Sequence, residues 1–402
     1  MTFFRRDKMK LKIYLLAAMA FLAVLSGCEE ETASNDPSKI LIGKISIDKQ
    51  PFGQLADGTE VDIYTLKNAN GMTAKITNYG GIVTELYAPD RKGKFQDVVL
   101  GYENLEKYLE SSPYFGALIG RYGNRIAKGK FAIDGIEYTL TANEGENHIH
   151  GGQKGFDKVV WKTQAIATFS GPSLILTYLS KDGEEGYPGN LKTRVIYTLT
   201  NDNELKISYE AQTDKTTVVN LTHHGYYNLA GHKSGDILGH ELMISADNFT
   251  PVDERVIPTG RIIPVADSPL DFRESTPIGS RIDQVTGGYD HNYVLNNKIG
   301  NFAKIATVYE PKSGRVMEVS TSLPGLQFYS GNFLDATSKG KGATYKKHSG
   351  FCLSTQRFPD SPNNPKFPSA VLKPGQKYHS LTSYKFSTRP ESKEKPKEES
   401  KE

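Results

Sequence analysis

Three short histidine clusters contain the side chains best suited to proton transfer in this chain. They are His148-Ile149-His150, His223-His224-Gly225 and Asp290-His291-Asn292. Because an imidazole titrates near neutral pH, each cluster could supply a general acid or base. On a strand, His148 and His150 would share a face that could bind zinc, but the glycines after His150 indicate a turn and no third ligand stands at a recognisable spacing. We therefore predict no metal and no cofactor, and a histidine without chemistry is the alternative for each cluster.

The segment at residues 120–126, GRYGNRI, is polar and lies between apolar stretches. The forked guanidinium of an arginine suits a hydroxylated or anionic ligand, and a structural salt bridge is the alternative. Aromatic residues beside glycines, at residues 288–290 and 327–331, suit platforms for a sugar ring, although such residues taken singly more often belong to a core. Together these features indicate a β-protein that binds a ligand.

The elements that must position these side chains are mostly β-strands. Residues 193–199 and 204–210 alternate between apolar and polar side chains, and the turn-forming sequence at 201–203, NDN, joins them as a hairpin. Similar patterns predict strands at 73–77, 130–133, 137–140, 174–179, 218–222, 240–245 and 315–320. Residues 104–110 alone indicate a helix. Many antiparallel strands with little helix predict an all-β sandwich or barrel.

Composition and charge narrow the class of protein. The 402 residues carry a formal net charge of +3, so neither a nucleic-acid surface nor an acidic partner is indicated. No linker or break in composition interrupts residues 40–388, which we predict to form one domain. Residues 389–402 are charged and lack large apolar side chains, which predicts a disordered tail. The sequence does not indicate an oligomeric state.

Residues 1–27 have the pattern of a signal peptide, in which basic residues precede an apolar run that is too short for a typical spanning helix. The run ends in LSGC at residues 25–28, which resembles the lipobox of bacterial lipoproteins. We therefore expect a lipidated Cys28, an acidic linker at 28–39 and an exported, membrane-anchored protein in the periplasm or at the cell surface. A retained transmembrane anchor and an ordinary secretory signal are the alternatives. Cys352, the other cysteine, is expected to be a small core residue without a disulfide.

Six segments, taken in order, form a pattern far more specific than any single motif. They are GRYGNRIAKGKF, HIHGGQKGFDKVVW, NLTHHGYYNLAG, GYDHNYVL, PGLQFYSGNF and HSGFCLSTQRFPDSPN, and they span nearly all of the predicted domain. In this order they resemble the aldose 1-epimerases, or galactose mutarotases. The resemblance implies the large antiparallel β-sandwich of that family and an isomerase that interconverts the α and β anomers of hexoses such as glucose or galactose.

The resemblance also implies roles for individual residues. The implied substrate-binding residues are Asn124, Arg125, His150, Tyr226, Asp290 and Gln327. The implied proton donor is His224, beside which His223 and Tyr227 replace the family's usual asparagine and phenylalanine. Ser354 departs from the family pattern more seriously, because the family has its general base, a glutamate, at this position.

The reaction requires a base that removes the proton of the anomeric hydroxyl while an acid protonates the ring oxygen. A serine hydroxyl is too weak a base unless a neighbouring group activates it, and no residue adjacent to Ser354 in sequence does so. Three hypotheses follow: a mutarotase with a reduced rate or a relocated base, a lipid-anchored sugar-binding protein that has lost turnover, and a different carbohydrate-active enzyme on the same sandwich. Asp360 and Glu318 are the carboxylates considered for a relocated base.

Overall fold

The computed structural model describes residues 39–110 and 112–391. The predicted signal peptide, the predicted lipid site Cys28 and nearly all of the acidic linker lie outside the described residues, as does the tail from residue 392 onward. Among the residues that are described, no helix has both the length and the apolar character needed to cross a bilayer.

The regular secondary structure of the described residues is almost entirely β-strand. One α-helix, α1, spans Leu105–Glu110, and six 3₁₀ turns lie at Ala127–Gly129, Phe156–Lys158, Glu184–Gly186, Ile278–Ser280, Ile282–Gln284 and Ser361–Asn363. The first fifteen strands are β1 Lys39–Ile42, β2 Ile45–Gln54, β3 Glu60–Lys67, β4 Thr73–Thr77, β5 Val83–Pro89, β6 Phe95–Asp97, β7 Ala117–Ile119, β8 Arg125–Ile126, β9 Lys130–Ile133, β10 Ile136–Thr139, β11 His148–Ile149, β12 Lys162–Thr168, β13 Gly171–Ser180, β14 Leu191–Leu199 and β15 Glu204–Thr213. The others are β16 Thr217–Val218, β17 Thr222–His224, β18 Glu241–Ile244, β19 Asn248–Thr250, β20 Ile263–Pro264, β21 Thr276–Pro277, β22 Asp290–Val294, β23 Ala303–Tyr309, β24 Arg315–Thr321, β25 Gly325–Tyr329, β26 Lys339–Gly340, β27 Ala343–Thr344, β28 Cys352–Gln356, β29 Val371–Leu372 and β30 Tyr378–Thr388.

Three antiparallel sheets contain twenty of these thirty strands, and the other ten form five two-stranded sheets. The first is a six-stranded meander of β1 to β6, and the second has nine strands in the order β12-β13-β14-β15-β30-β24-β23-β18-β21. The third has five strands in the order β20-β19-β22-β25-β28, and β17 lies against β28 at its edge. The third sheet and β17 carry four of the eight predicted sugar-site residues, Asp290, Gln327, Ser354 and His224.

The core forms because each strand turns alternate side chains inward. In β14, every second residue from Leu191 to Leu199 is buried. Leu66 and Leu86 of the first sheet and Leu176 of the second belong to one cluster of buried apolar side chains. Removing this surface from water, at about 25 cal/mol per Å² of apolar area, holds the sheets together. The predicted all-β antiparallel sandwich is confirmed.

The predicted strands agree with the structure except in one region. β4 and β9 have the predicted bounds, and β14 and β15 form the predicted hairpin with Leu199 opposite Leu205. The single strand predicted at 218–222 is wrong. It is split into β16 and β17, because the chain changes partners there: β16 pairs with β29, whereas β17 pairs with β7.

Candidate active site

β17 and β28 lie side by side and turn their alternate side chains into one cavity. Cys352, Ser354 and Gln356 point to the same side of β28 and are all buried. The Ser354 hydroxyl donates a hydrogen bond to the backbone oxygen of His223 at 3.0 Å, and Cys352 Sγ lies 3.7 Å from His224 Nδ1. These contacts hold the predicted acid and the predicted base position on adjacent strands.

The adjacent histidines of β17 have opposite surroundings. His224 lines the cavity, whereas His223 points to the other side of the strand, as the alternation of a β-strand requires. His223 Nε2 lies 3.0 Å from the oxygen of Gly116, and its ring packs near Tyr197 and Tyr384. His223 is therefore a core residue, and only His224 of this pair can reach a ligand in the cavity.

His150 occupies a turn directly after β11. Its φ is 52° and that of Gly151 is 92°, and a Cβ at Gly151 would collide with the backbone oxygen of Gly120. The turn directs His150 into the cavity, where its Nδ1 accepts a hydrogen bond from the backbone N–H of Asn124 at 3.1 Å. The His150 and His224 rings lie 5.1 Å apart, centroid to centroid.

His148 does not share a face with His150. Its Nδ1 lies 2.7 Å from the backbone oxygen of Thr141, and its Nε2 lies 2.6 Å from the hydroxyl of Tyr187. Both ring nitrogens are thus occupied within the protein. The shared face considered as a zinc site is not formed, because the turn at His150 breaks the strand geometry.

The two arginines of the 120–126 segment have different functions. Arg121 is buried and donates to the Ser180 hydroxyl and to the backbone oxygens of Ser180, Lys181 and Pro188, so it is structural. Arg125 instead lines the cavity.

Arg125 connects two carboxylates at the wall of the cavity. Its Nε and Nη2 donate to the carboxylate of Glu144 at 2.7 and 2.6 Å, and its Nη1 lies 3.9 Å from Asp290 Oδ2. The backbone N–H of Arg125 donates to the side-chain oxygen of Asn124 at 2.9 Å. A bidentate ion pair fixes the plane of the guanidinium, so a ligand meets Arg125 in a preset orientation.

A chain of amides crosses the third sheet to Asp290. Gln356 Nε2 donates to Gln327 Oε1 at 3.0 Å, and Gln327 Nε2 donates to Asp290 Oδ1 at 2.7 Å. Gln356 also donates to Asn292 Oδ1 at 3.1 Å. Gln327 stands directly opposite Ser354 in the register of β25 and β28. These bonds hold the polar side chains of β22, β25 and β28 in one arrangement.

All eight predicted sugar-site residues line a single cavity of about 280 Å³. Its lining consists of Pro113, Tyr114, Asn124, Arg125, Asn143, Glu144, Ile149, His150, Thr222, His224, Tyr226, Asp290, Gln327, Tyr329, Phe333, Leu334, Cys352, Ser354 and Gln356. This volume lies just below the range of about 300–1,000 Å³ typical of pockets for drug-sized ligands, so it suits one small polar ring.

Burial controls the protonation of the cavity groups. It lowers the pKa of His224 to about 4, and it lowers the pKa of His150 well below the usual value, an effect to which positive charge on His224 and Arg125 adds. Burial raises the pKa of Asp290 against the opposing effects of Arg125 and Gln327. Burial also raises the pKa of the Cys352 thiol, which therefore keeps its proton. That thiol can donate to His224 Nδ1, leaving Nε2 of the neutral ring as the protonated nitrogen.

Neither carboxylate considered for a relocated base lines this cavity. Asp360 accepts hydrogen bonds from the backbone N–H of Ala127 and from the side chains of Asn363 and Asn364. Glu318 lies on β24 in the second sheet and pairs with Lys304. The prediction of Asp360 or Glu318 as a relocated base is therefore wrong. Neither a position near Ser354 in sequence nor the right residue type is enough to place a side chain on the cavity face.

Several cavity residues were not predicted from the sequence. Glu144 and Gln356 contact predicted site residues through hydrogen bonds. Gln356 follows Ser354 by two residues, so the period of a strand could have identified it. Tyr114 packs edge-on against His150 at 4.7 Å, and no sequence pattern marks it. Cys352, expected in the core, is buried but also lines the cavity.

A second, larger depression of about 890 Å³ lies on the nine-stranded sheet. Its lining includes Lys162, Lys192, Lys377 and His379. None of the predicted sugar-site residues lines it, and the histidine, carboxylate and amide cluster described above is absent from its lining. The smaller cavity is therefore the better candidate site.

An antiparallel β-sandwich whose cavity combines an imidazole, amides, an arginine and a carboxylate defines a carbohydrate-binding protein equipped for proton transfer. The family model described as "Aldose 1-epimerase" matches residues 62–385. The chain therefore belongs to the aldose 1-epimerase family. This confirms the predicted function, aldose 1-epimerase, and the sandwich of the galactose mutarotase type.

Galactose mutarotases and aldose 1-epimerases match this chain over nearly their full length. Galactose mutarotase of Rattus norvegicus is 47% identical over 347 residues, which cover 85% of this chain and 99% of that protein. Aldose 1-epimerase of Escherichia coli K12 is 38% identical, covering 82% of this chain and 96% of that protein. The structure of an aldose epimerase homologue from C. elegans has a TM-score of 0.76 at 30% identity, over 82% of this chain and 99% of that chain.

Proposed function

We propose that this chain interconverts the α and β anomers of aldoses such as glucose and galactose in the cavity lined by His224. The observation that carries the proposal is the convergence of eight residues, widely separated in sequence, on one cavity of about 280 Å³. Membership of the aldose 1-epimerase family supports the same reaction.

In the proposed reaction, a proton leaves the anomeric hydroxyl and another reaches the ring oxygen. The C1–ring oxygen bond breaks, the open aldehyde rotates about C1–C2, and the reverse transfers close the ring as the other anomer. His224 in its imidazolium form donates the proton to the ring oxygen. Its lowered pKa makes the imidazolium scarce at neutral pH but makes it a strong donor when it is present.

Binding is assigned to the groups around the imidazole. Arg125 and Gln327 present donors, and Asp290 presents an acceptor, for the sugar hydroxyls. Asn124, His150 and Tyr226 complete the wall beside His224. Fixing the ring against this wall would place its oxygen near the imidazole, and orientation of this kind contributes to the rate together with proton transfer.

The alternative is a sugar-binding protein without turnover, which the serine at position 354 favours. NMR exchange of freshly dissolved α-glucose and α-galactose, measured with and without purified protein, separates the two functions. We expect an accelerated approach to anomeric equilibrium. Saturable sugar binding without any acceleration would instead establish the binding protein.

We also propose that the protein is held at a membrane through lipidated Cys28 after export. Support comes from the basic and apolar pattern of residues 1–27 and from the LSGC sequence that ends it. In a bacterial host, Cys28→Ser should move the protein from the membrane fraction to the soluble fraction. If Cys28→Ser protein stays with the membranes, the lipid anchor is contradicted.

A further inference from the structure

The Ser354 hydroxyl is poorly placed to act as the proton acceptor of the proposed reaction. It donates its hydrogen to the backbone oxygen of His223 at 3.0 Å, and a carbonyl oxygen cannot take that proton away. A neutral hydroxyl without an activating base is a weak acceptor. The acceptor must therefore be another group that faces the same cavity as His224.

Two carboxylates, Glu144 and Asp290, are present among the cavity-lining residues. Glu144 uses both of its oxygens in the bidentate pair with Arg125, and its side chain is 37% exposed. Protonating Glu144 would break its ion pair with Arg125. Of the two, Asp290 is thus the one that can take up a proton without breaking a bidentate ion pair.

Asp290 has one oxygen anchored and one oxygen available. Oδ1 accepts the hydrogen bond from Gln327 at 2.7 Å. Oδ2 lies 3.9 Å from Arg125 Nη1, which is too long for a hydrogen bond, so this oxygen keeps its capacity to accept a proton. The contact between the Cys352 sulfur and the His224 imidazole lies two strands away from Asp290, on β28.

The sheet register brings Asp290 towards the position of Ser354. Ser354 on β28 faces Gln327 on β25, and Gln327 binds Asp290 from β22. Gln356, on the same face of β28 as Ser354, fixes the amide of Gln327 by donating to its oxygen at 3.0 Å. The amide must then present its NH₂ group to Asp290. Neighbouring strands are about 4.8 Å apart, so the two steps from β28 to β22 span about 10 Å, which one sugar ring with its hydroxyl groups can bridge.

We propose that Asp290 Oδ2 is the proton acceptor of this enzyme, in place of a side chain at position 354; this inference rests on the proposed function. In ring opening, Oδ2 takes the proton of the anomeric hydroxyl, the electrons of that O–H bond form the C1=O bond, and the C1–ring oxygen bond breaks. The ring oxygen takes the proton from the His224 imidazolium. No oxidant or reductant is needed, and the reverse transfers close the ring.

The test is a double-mutant cycle that compares wild type, Asp290→Asn, Ser354→Glu and the double variant. NMR exchange gives kcat and KM for each one, with thermal unfolding as a check on folding. We expect Asp290→Asn to lower kcat about 100-fold to 10,000-fold in the wild-type background, the usual loss of one general base. In the Ser354→Glu background, where a carboxylate faces the cavity from β28, the same change should raise KM and lower kcat by less than about tenfold.

Equal losses of kcat in both backgrounds would overturn the proposal, because Asp290 would then only bind or position the sugar. Wild type without turnover, but active after Ser354→Glu, would also overturn it. Wild type and Ser354→Glu both without turnover would contradict the proposed function itself.

Glu144→Gln is the matched control, and its effect should be the same in both backgrounds. If Asp290→Asn does not fold, Asp290→Glu serves instead: kcat retained within about a hundredfold supports the proposal, and a complete loss in a folded protein rejects it.

Discussion

Around one cavity, Asp290 is joined to Arg125 by an ion pair and to Gln327 by a hydrogen bond, whereas Ser354 makes one hydrogen bond to a backbone oxygen. Arg125, Gln327 and Asp290 form the hydroxyl-binding side, which therefore has the charged and amide groups that a sugar requires. His224 and Ser354 form the proton-transfer side, which has an imidazole but lacks a carboxylate on β28. The difference teaches that recognition and proton transfer are only partly separable in this fold, because β28 lacks a carboxylate and Asp290, among the hydroxyl-binding groups, is the proposed proton acceptor.

The largest effect is expected from restoring a carboxylate on the proton-transfer side. In the Asp290→Asn protein, Ser354→Glu should raise kcat for anomer exchange about 100-fold to 10,000-fold, because it adds a general base on the cavity face of β28. In wild type, where Asp290 already accepts the proton, the gain should be smaller. Sugar affinity should change little, since Ser354→Glu leaves Arg125 and Gln327 untouched. Ser354→Gln, similar in size but without basicity, is the control. A Ser354→Gln variant as fast as Ser354→Glu would show that size rather than basicity limits the wild-type rate.

A smaller and different effect is expected on the hydroxyl-binding side. Arg125→Ala should raise KM about 10-fold to 100-fold, because a charge-assisted hydrogen bond contributes about 1.5–3 kcal/mol. Initial rates over a range of galactose concentrations would measure it. Arg121→Ala is the matched control, since Arg121 holds the backbone oxygens of Lys181 and Pro188 and should lower stability in urea. If Arg125→Ala changed kcat alone, the division between the two sides would be wrong.

The third effect concerns pH. Burial holds the pKa of His224 near 4, with Tyr114, His150, Tyr226 and Cys352 packed around the ring. Above this pKa the imidazolium fraction falls tenfold for each pH unit, so kcat/KM should rise as pH is lowered from 8. The rise should level off where Asp290, the proposed acceptor, takes up a proton, because burial raises the pKa of that carboxyl.

Subtracting the uncatalysed exchange at each pH, and checking that the protein remains folded, would isolate this effect. A value of kcat/KM that is constant over this range, or that rises with pH, would remove the His224 imidazolium from the reaction.

The sequence could predict the sandwich and the residues around the cavity, but not the contacts among them. The alternation in β14 and β15 is a local property, so the hairpin could be recognised. The convergence of Asn124, His224 and Asp290 depends on long-range strand pairing, and here the resemblance to a family supplied what local pattern could not. That Arg121 is structural and Arg125 lines the cavity could not be decided, because both have the same residue type in one segment.

The failure of Asp360 and Glu318 as relocated bases has the same origin. Both have the residue type of a base, whereas the face on which a carboxylate lies is fixed by register and by its hydrogen-bond partners. The roles of the eight cavity residues, the domain bounds and the lipid anchor at Cys28 stay predictions.

The central claim is that this cavity catalyses anomer exchange through His224. The most direct measurement compares the initial rate of α-galactose exchange by NMR for purified wild type and for His224→Ala at equal concentrations. We predict an acceleration by wild type and a return to the uncatalysed rate for His224→Ala, with sugar binding retained. Equal acceleration by both proteins would contradict the claim.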